Sequence, residues 1–323
     1  MTRALLLVLC TAASGLFGCS KDKTPAEPPP GPGQTSAASA STPKAVTTED
    51  LRGIWGFGAS DVWAVGNKGT IVHYDGHAWA ASRSGTEENL TSIQGAAPND
   101  VWAGGQDGTI LHWNGALWVE SSHEDNTTIL GVWASDDKNA FAVGMDNEGE
   151  SGHVRKWDGT KWLPQGVPGS SSVWHITGTG PKDVWMVGTT PQSQGLVLHS
   201  FNSAKFDAVG YKGASVHALW SSRPGDVWVA PYSGPIQHWD GKTWTSTSTT
   251  VSPLVHLAGS SDDDVWAIGF NGAILHYHGG QWSPTPSGTS EVLWSVWAAS
   301  PNDAWIVGNH GTILHWNGTA WKR

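Results

Sequence analysis

Six histidines hold one recurring place in this chain: His73, His112, His199, His238, His276 and His315, with Lys156 in a further copy. Each stands in a short apolar segment such as Ile71-Val72-His73-Tyr74. Neutral imidazole is a common metal ligand, so a ring of them raises metal chemistry. A second candidate is the acidic alternation Asp146, Glu148 and Glu150, because carboxylates at every second position can converge on Ca2+. The full calcium-loop pattern is absent there, so a solvated loop is the simpler account. His123-Glu124-Asp125 and Asp262-Asp263-Asp264 read likewise as surface turns. A third candidate is a set of unlike residues, Arg52, Trp174, His217 and Trp294. Two aromatic platforms, a cation and an imidazole suit stacking on a sugar ring or gripping a peptide with an acidic group. What any of these can do depends on the elements that position them.

Those elements are seven copies of one pattern between Leu51 and Arg323. The last copy reads L-W-S-V-W-A-A-S-P-N-D-A-W-I-V-G-N-H-G-T-I-L-H-W-N-G-T-A-W, residues 293–321. Its anchors are Asp61, Asp100, Asn139, Asp183, Asp226, Asp264 and Asp303, spaced by 39, 39, 44, 43, 38 and 39 residues. A period near forty with strand patterning is the signature of a β-propeller, one repeat to a blade. The expected fold is all-β: seven blades of four antiparallel strands, a to d from the axis outward. Asp75-Gly76, Asn114-Gly115, Asp158-Gly159, Asp240-Gly241 and Asn317-Gly318 predict two-residue type I′ turns between strands c and d. That register puts Tyr74 opposite His77 and Val72 opposite Trp79. Both faces of a blade are then largely apolar, as a blade sandwiched between two neighbours requires.

The repeat reassigns the chemistry. Equivalent positions around a ring lie far apart, so no two of the six histidines can share one ion. Each is expected to make the same bond within its blade, across from the strand b tryptophan. No metal and no cofactor is implied. Positions that all copies share build scaffold, so specificity belongs where the copies differ. In strand a the first and fourth columns are aliphatic, whereas the second runs Arg52, Thr91, Leu130, Trp174, His217, Val255, Trp294. Strand a lines the channel of a propeller, so Arg52, Trp174, His217 and Trp294 are expected to rim one mouth. The fifth column alternates large and small (Trp55, Gln94, Trp133, Thr177, Trp220, Ala258, Trp297) and reads as packing. Residues near 45–48 are expected to pair with the short last strand d and close the ring.

The first residues form a separate story. Residues 1–18 carry Arg3 and then an apolar run too short to span a bilayer, which reads as a secretory signal. It ends in Leu16-Phe17-Gly18-Cys19, which resembles the lipobox of bacterial lipoproteins. The resemblance implies acylation of Cys19 after cleavage and, with Ser20 next, an outer-membrane address facing the periplasm or the cell surface. Cys10 falls in the removed segment, so the mature chain has no disulfide. Residues 19–48 are rich in Pro, Ala, Ser and Thr and read as a disordered tether. Residues 49–323 form the propeller and contain all 22 tryptophans. A net charge of −10 with 14% charged residues argues against nucleic acid as a partner. The expected partners are the membrane, through the lipid, and a glycan or protein ligand; the head is expected to be a monomer.

Across residues 51–323 the D-V-W-A-V-G … G-T-I-L-H-W-[DN]-G-x-x-W copies resemble tandem-repeat propellers of exported bacterial proteins, many of them lipoproteins. They are more loosely similar to Asp-box propellers, but in Asp240-Gly241-Lys242-Thr243-Trp244 the Asp touches the Gly directly, unlike the S-x-D-x-G-x-T-W pattern. The leading expectation is a non-catalytic binding module. The alternatives are a glycan-active hydrolase, which needs paired carboxylates, and a structural subunit of an outer-membrane assembly.

Overall fold

The computed structural model describes residues 46–323 apart from 124, 125, 168, 203, 204, 250 and 252. The signal, Cys19 and all but the last residues of the tether lie outside the described residues. Seven four-stranded antiparallel sheets follow one another, each with its strands paired in chain order. In the first blade these are Leu51–Gly58, Asp61–Gly66, Ile71–Tyr74 and Trp79–Ser82. The inner strands of the other blades are Leu90–Ala97, Thr127–Asp136, Ser172–Gly180, Val216–Trp220, Leu254–Ser261 and Leu293–Ser300.

Strand b shows why blades cannot stand alone. In Asp61–Gly66, Val62, Trp63, Ala64 and Val65 are all buried. Successive side chains of a strand point to opposite faces, so burial of four in a row means that both faces are covered. The core accordingly divides into seven clusters, each shared by two consecutive blades. Trp63, Val65 and Ile71 of the first blade pack with Leu90, Ile93 and Leu111 of the second. Leu51, Ile54 and Val62 pack with Trp297, Trp305 and Val307 of the last.

The six recurrent histidines are spent inside this scaffold, as the repeat implies. Each pairs across the sheet with the strand b tryptophan, as His73 does with Trp63. Its ring stacks on that indole at 3.9 Å in the first blade and 3.7 Å in the sixth. Its Nε2 meets the anchor aspartate: His73–Asp61 at 2.7 Å, His112–Asp100 at 2.7 Å, His199–Asp183 at 2.6 Å, His238–Asp226 at 3.0 Å, His276–Asp264 at 2.6 Å and His315–Asp303 at 2.8 Å. Facing a carboxylate, that nitrogen carries the proton and donates it. Blade three replaces all three members together, with Asn139, Phe141 and Lys156, and the ammonium lies 5.6 Å from the phenyl centroid. The indole's other contact crosses to the next blade: Trp118 meets Trp63 edge-on at 5.6 Å, and Trp79 meets Trp305 at 5.5 Å. Burial pushes the Asp183, Asp226 and Asp264 carboxyls up, but hydrogen bonds from His199, His238 and His276, with Thr179, Arg223 and Ser260, hold them below the ordinary carboxylate value.

Two expectations are corrected. The positive-φ pairs of type I′ geometry lie between strands b and c, at Lys68-Gly69 (φ 54 and 62), Asp107-Gly108 (48 and 61) and His310-Gly311 (54 and 64). Between c and d of the first blade the loop has four residues, with Tyr74 paired to Trp79 and Val72 to Ala81; in blade six, where His278 pairs with Gln281, Gly279-Gly280 (φ 61 and 79) does form a two-residue turn there. Asp75 keeps an ordinary φ, because its Oδ1 accepts the amides of His77 (2.8 Å) and Ala78 (2.9 Å). The second correction concerns closure. The last strand, Trp321–Lys322, belongs to a four-stranded sheet to which, among the described residues, no further strand is added. The N-terminal segment instead docks on the b–c turn of blade seven, where Gly311 N–H donates to Glu49 O at 3.0 Å. Gly69, Gly108 and Gly272 make the same link to Glu88, Thr127 and Glu291, each at 2.8 Å. The closing interface therefore repeats those three.

The fifth column packs as read. A Cβ on Gly56 would lie 2.7 Å from the Trp297 ring, and one on Gly178 would lie 2.7 Å from Trp133. Trp297, Trp133 and Trp220 thus each rest on a glycine of the next blade, whereas the corresponding Gly95 meets Phe57.

Gly311→Ala tests the closing link. A Cβ there would lie 2.0 Å from Thr47 O, whereas at Gly85, also at positive φ, it would meet nothing within 4 Å. Gly85→Ala should cost about 1–2 kcal/mol of stability in urea unfolding, the penalty of a left-handed non-glycine residue. Gly311→Ala should cost clearly more; equal losses would show that the link does not hold the ring.

Candidate binding site at the channel mouth

The inner strands enclose an axial cavity of about 490 Å3, within the size range of small-ligand sites. Arg52, Trp174, His217 and Trp294 all line it. The pairing register explains why this column varies. In the first blade Leu51 pairs with Gly66 and Gly53 with Val65, so Arg52 has no partner of its own. The same irregularity recurs in the other six blades, skipping Thr91, Leu130, Trp174, His217, Val255 and Trp294. A β-bulge frees one residue from the ladder and re-aims its side chain. The ring thus presents seven bulged residues at one mouth, released from the demands of pairing.

The four residues singled out come together as two pairs, one at the interface of blades seven and one, the other at that of blades four and five. The Arg52 guanidinium lies 4.3 Å from the Trp294 ring centroid, and Arg52 Nη2 donates to Asp50 Oδ2 at 3.3 Å. Burial pulls the guanidinium down from its ordinary value, and Asp50 partly restores it. Trp294 Nε1 donates to Asn309 Oδ1 at 2.6 Å. Opposite, Trp174 and His217 stack at 4.4 Å with an interplanar angle of 22°. Trp174 Nε1 donates to Thr189 Oγ1 at 2.9 Å, and His217 Nε2 lies 3.1 Å from Ser215 Oγ. Tyr232, half exposed, adds its ring 5.1 Å from His217. Burial holds His217 down at about 4, so this imidazole is neutral at pH 7. At the remaining bulges Thr91 donates to the carbonyls of Gly104 and Ile129, while Leu130 and Val255 are apolar.

Sequence reasoning passed over the third column: Gly53, Ser92, Gly131, His175, Ala218, His256, Ser295. Two histidines among small residues were the available signal. Their rings lie 4.7 Å apart in the channel wall, although the strand of blade five runs between theirs in sequence. Protein surrounds both rings, although water reaches part of each. Burial drives His175 down to about 4, and burial and then the charge of His175 drive His256 well below its ordinary value. None of the cavity-lining residues is Asp or Glu.

The acidic alternation does not converge. Asp146 Oδ1 accepts the Glu150 amide at 2.7 Å as a turn cap, and Glu148 accepts from Asn126 at 3.2 Å. Among the described residues no group of three or more His, Cys, Asp or Glu is placed to hold a metal ion.

No protein-family model matches the chain, and no curated protein matches it by sequence. Solved structures do resemble it. YCF48 bound to the D1 peptide is 17% identical with a TM-score of 0.64, covering 84% of this chain and 94% of that one. The WD40 β-propeller domain of Doa1 is 13% identical with a TM-score of 0.68, covering 84% and 93%. YCF48 from Cyanidioschyzon merolae is 13% identical with a TM-score of 0.63, covering 84% and 96%. At such identities the likeness shows the fold.

The buried imidazoles predict a pH profile in two windows. In the unfolded chain His175, His217 and His256 take up a proton near pH 6.5, whereas the folded protein resists until far lower. Their contribution to stability is full above about 6.5 and is lost as the pH falls toward the folded values. The depressed aspartates contribute fully above about 4 and lose that contribution as the pH falls further. The melting temperature should therefore decline from about pH 6.5 and steepen below about 4. His175→Ser with His256→Ser should flatten the upper window in a scanning-fluorimetry series; a wild-type profile flat down to about pH 4.5 would contradict the burial of these rings.

Proposed function

We propose that the chain is a non-catalytic binding module that takes a peptide segment of a protein partner at the bulged mouth of the channel. The observation that carries this reading is the convergence of the seven bulges on one rim, where Arg52, Trp174, His217 and Trp294 form two stacked pairs facing a common cavity. The second column varies from blade to blade on residues that the ladder does not constrain. One face of each mouth tryptophan is already covered, by Arg52 or His217, which leaves an amphipathic rim suited to an extended chain with polar groups. A propeller of the same architecture, YCF48, holds the D1 peptide. Sugar hydrolysis by paired carboxylates would need two acids about 5–10 Å apart, and the cavity lining supplies neither.

The module works at the cell envelope in this proposal, tethered through a lipid on Cys19 and the Pro-rich residues that follow it. The lipobox resemblance and the composition of residues 19–48 support that placement.

A displayed peptide library panned against the purified protein tests the reading, with a glycan array run in parallel. Peptides should be enriched, and Trp174→Ala with Trp294→Ala should weaken the best of them by at least about tenfold, the value of one good interfacial contact. Arg52→Gln, which leaves both indoles in place, should weaken them as well. Peptide binding unchanged in both variants, or glycan binding without peptide binding, would overturn the proposal.

A further inference from the structure

We infer that the channel behind the mouth receives a carboxylate group, held by the Nε2–H donors of His175 and His256. The inference rests on the peptide-binding reading and specifies which chemical group enters. It begins with the third column of the inner strands. Wherever that residue is polar, it accepts the amide of the fourth residue in the next blade. Ser92 Oγ accepts Val132 N–H at 3.0 Å, and Ser295 Oγ accepts Ile54 N–H at 3.3 Å. His175 Nδ1 faces Leu219 N–H at 3.5 Å, and His256 Nδ1 faces Val296 N–H at 3.4 Å. An imidazole nitrogen that accepts carries no proton, so in the neutral ring the proton sits on Nε2. The scaffold itself fixes the tautomer.

Two consequences follow from that tautomer. Metal ligation through Nε2 is disfavoured, because the protonated nitrogen has no lone pair to give. The same nitrogens are hydrogen-bond donors, and among the described residues neither has an acceptor. Ser92 and Ser295, whose oxygens accept amides, have hydroxyl protons to donate to the same cavity. The lining is rich in donors and contains no carboxylate, inside a chain whose net charge is −10. The acidic residues of the described chain all lie outside this donor-lined cavity. A carboxylate answers that arrangement: it only accepts, and its two oxygens can span two adjacent N–H groups. A rim cation, Arg52, stands on the way in. The carboxylate can be the end of a chain or an Asp or Glu side chain; the chemistry is shared.

The test uses three small probes: acetyl-Gly-Gly with a free C-terminus, its C-terminal amide, and acetyl-Gly-Glu amide. The amide resonances of Leu219 and Val296, bonded to the two rings, report entry in a 15N NMR titration. Both should shift with at least one acid and not with the diglycine amide. A response to the free terminus alone identifies a chain end as the source; a response to the glutamyl probe alone identifies a side chain. His175→Ser and His256→Ser keep an acceptor for the two amides, as Ser92 and Ser295 do in other blades, while removing the ring that carries the Nε2 donor. Each should weaken acid binding by roughly tenfold, the loss of one hydrogen bond to a charged group. No shift with either acid, equal shifts with the diglycine amide, or undiminished affinity in both variants would overturn the inference. Library peptides that bind at the mouth without preference for the acid would sink this inference and leave the peptide-binding reading standing.

Discussion

Everything in this ring depends on the strand b indole being covered on both sides by residues of different blades. Its own blade supplies one cover, an imidazole stacked in parallel and tied to the anchor aspartate. The next blade supplies the other, an aromatic pair from strands c and d such as Trp113 and Trp118 against Trp63. A single blade offers only half of this environment and would expose the indole face and the apolar ladder around it. Folding of one blade is thereby coupled to the presence of its neighbours, as in repeat proteins generally. The histidine contributes more than area: bonded to the anchor carboxylate, it fixes the ring plane on which the indole lies. Blade three keeps the logic with other residues. Phe141 replaces the indole, Lys156 covers it as a cation, and Asn139 no longer needs a protonated partner.

With the outer and middle strands committed to that packing, variation is confined to the inner edge. The bulge matters because it solves a conflict between closure and display. An inner strand must pair along its length to seal the blade, yet a functional side chain must be free of the ladder. One extra residue per strand satisfies both requirements. The neighbouring third column shows the opposite constraint. Its residues sit where inner strands of adjacent blades approach closely, and a Cβ on Gly53 would already lie 3.1 Å from the Ser92 and Ile93 backbone. Only a small residue, or one that answers the facing amide, is accommodated there.

Much of this was legible in the chain itself. The repeat period, the two-sided apolar patterning and the contrast between columns led to the blade count, the histidine role and the four mouth residues. The misplaced turn has a physical cause. Asp-Gly and Asn-Gly pairs occur at both hairpins of a blade, as in Asp107-Gly108 and Asn114-Gly115, and the dipeptide alone does not say whether the side chain leaves for αL or stays to cap amides. The bulge was invisible because it is a fact of pairing, set by the partner strand. His175 and His256 were missed because their significance lies in which nitrogen faces a neighbouring amide, and that depends on the approach of two blades.

The closing link has a consequence for the history and engineering of this fold. Since Glu49 bonds the last b–c turn as Glu88 and Glu291 bond others, and the described residues of the last blade form their own four-stranded sheet, the ring closes there by the contact it uses elsewhere. Chain connectivity and spatial order are separable: the junction between Arg323 and the first blade carries the same link as three of the others. Such a ring is indifferent to where its sequence begins, so circular permutants opened at another junction preserve every interface. Growth by tandem duplication of a blade-length segment needs no special terminal unit. What a linear repeat array spends on caps, this molecule supplies by meeting itself.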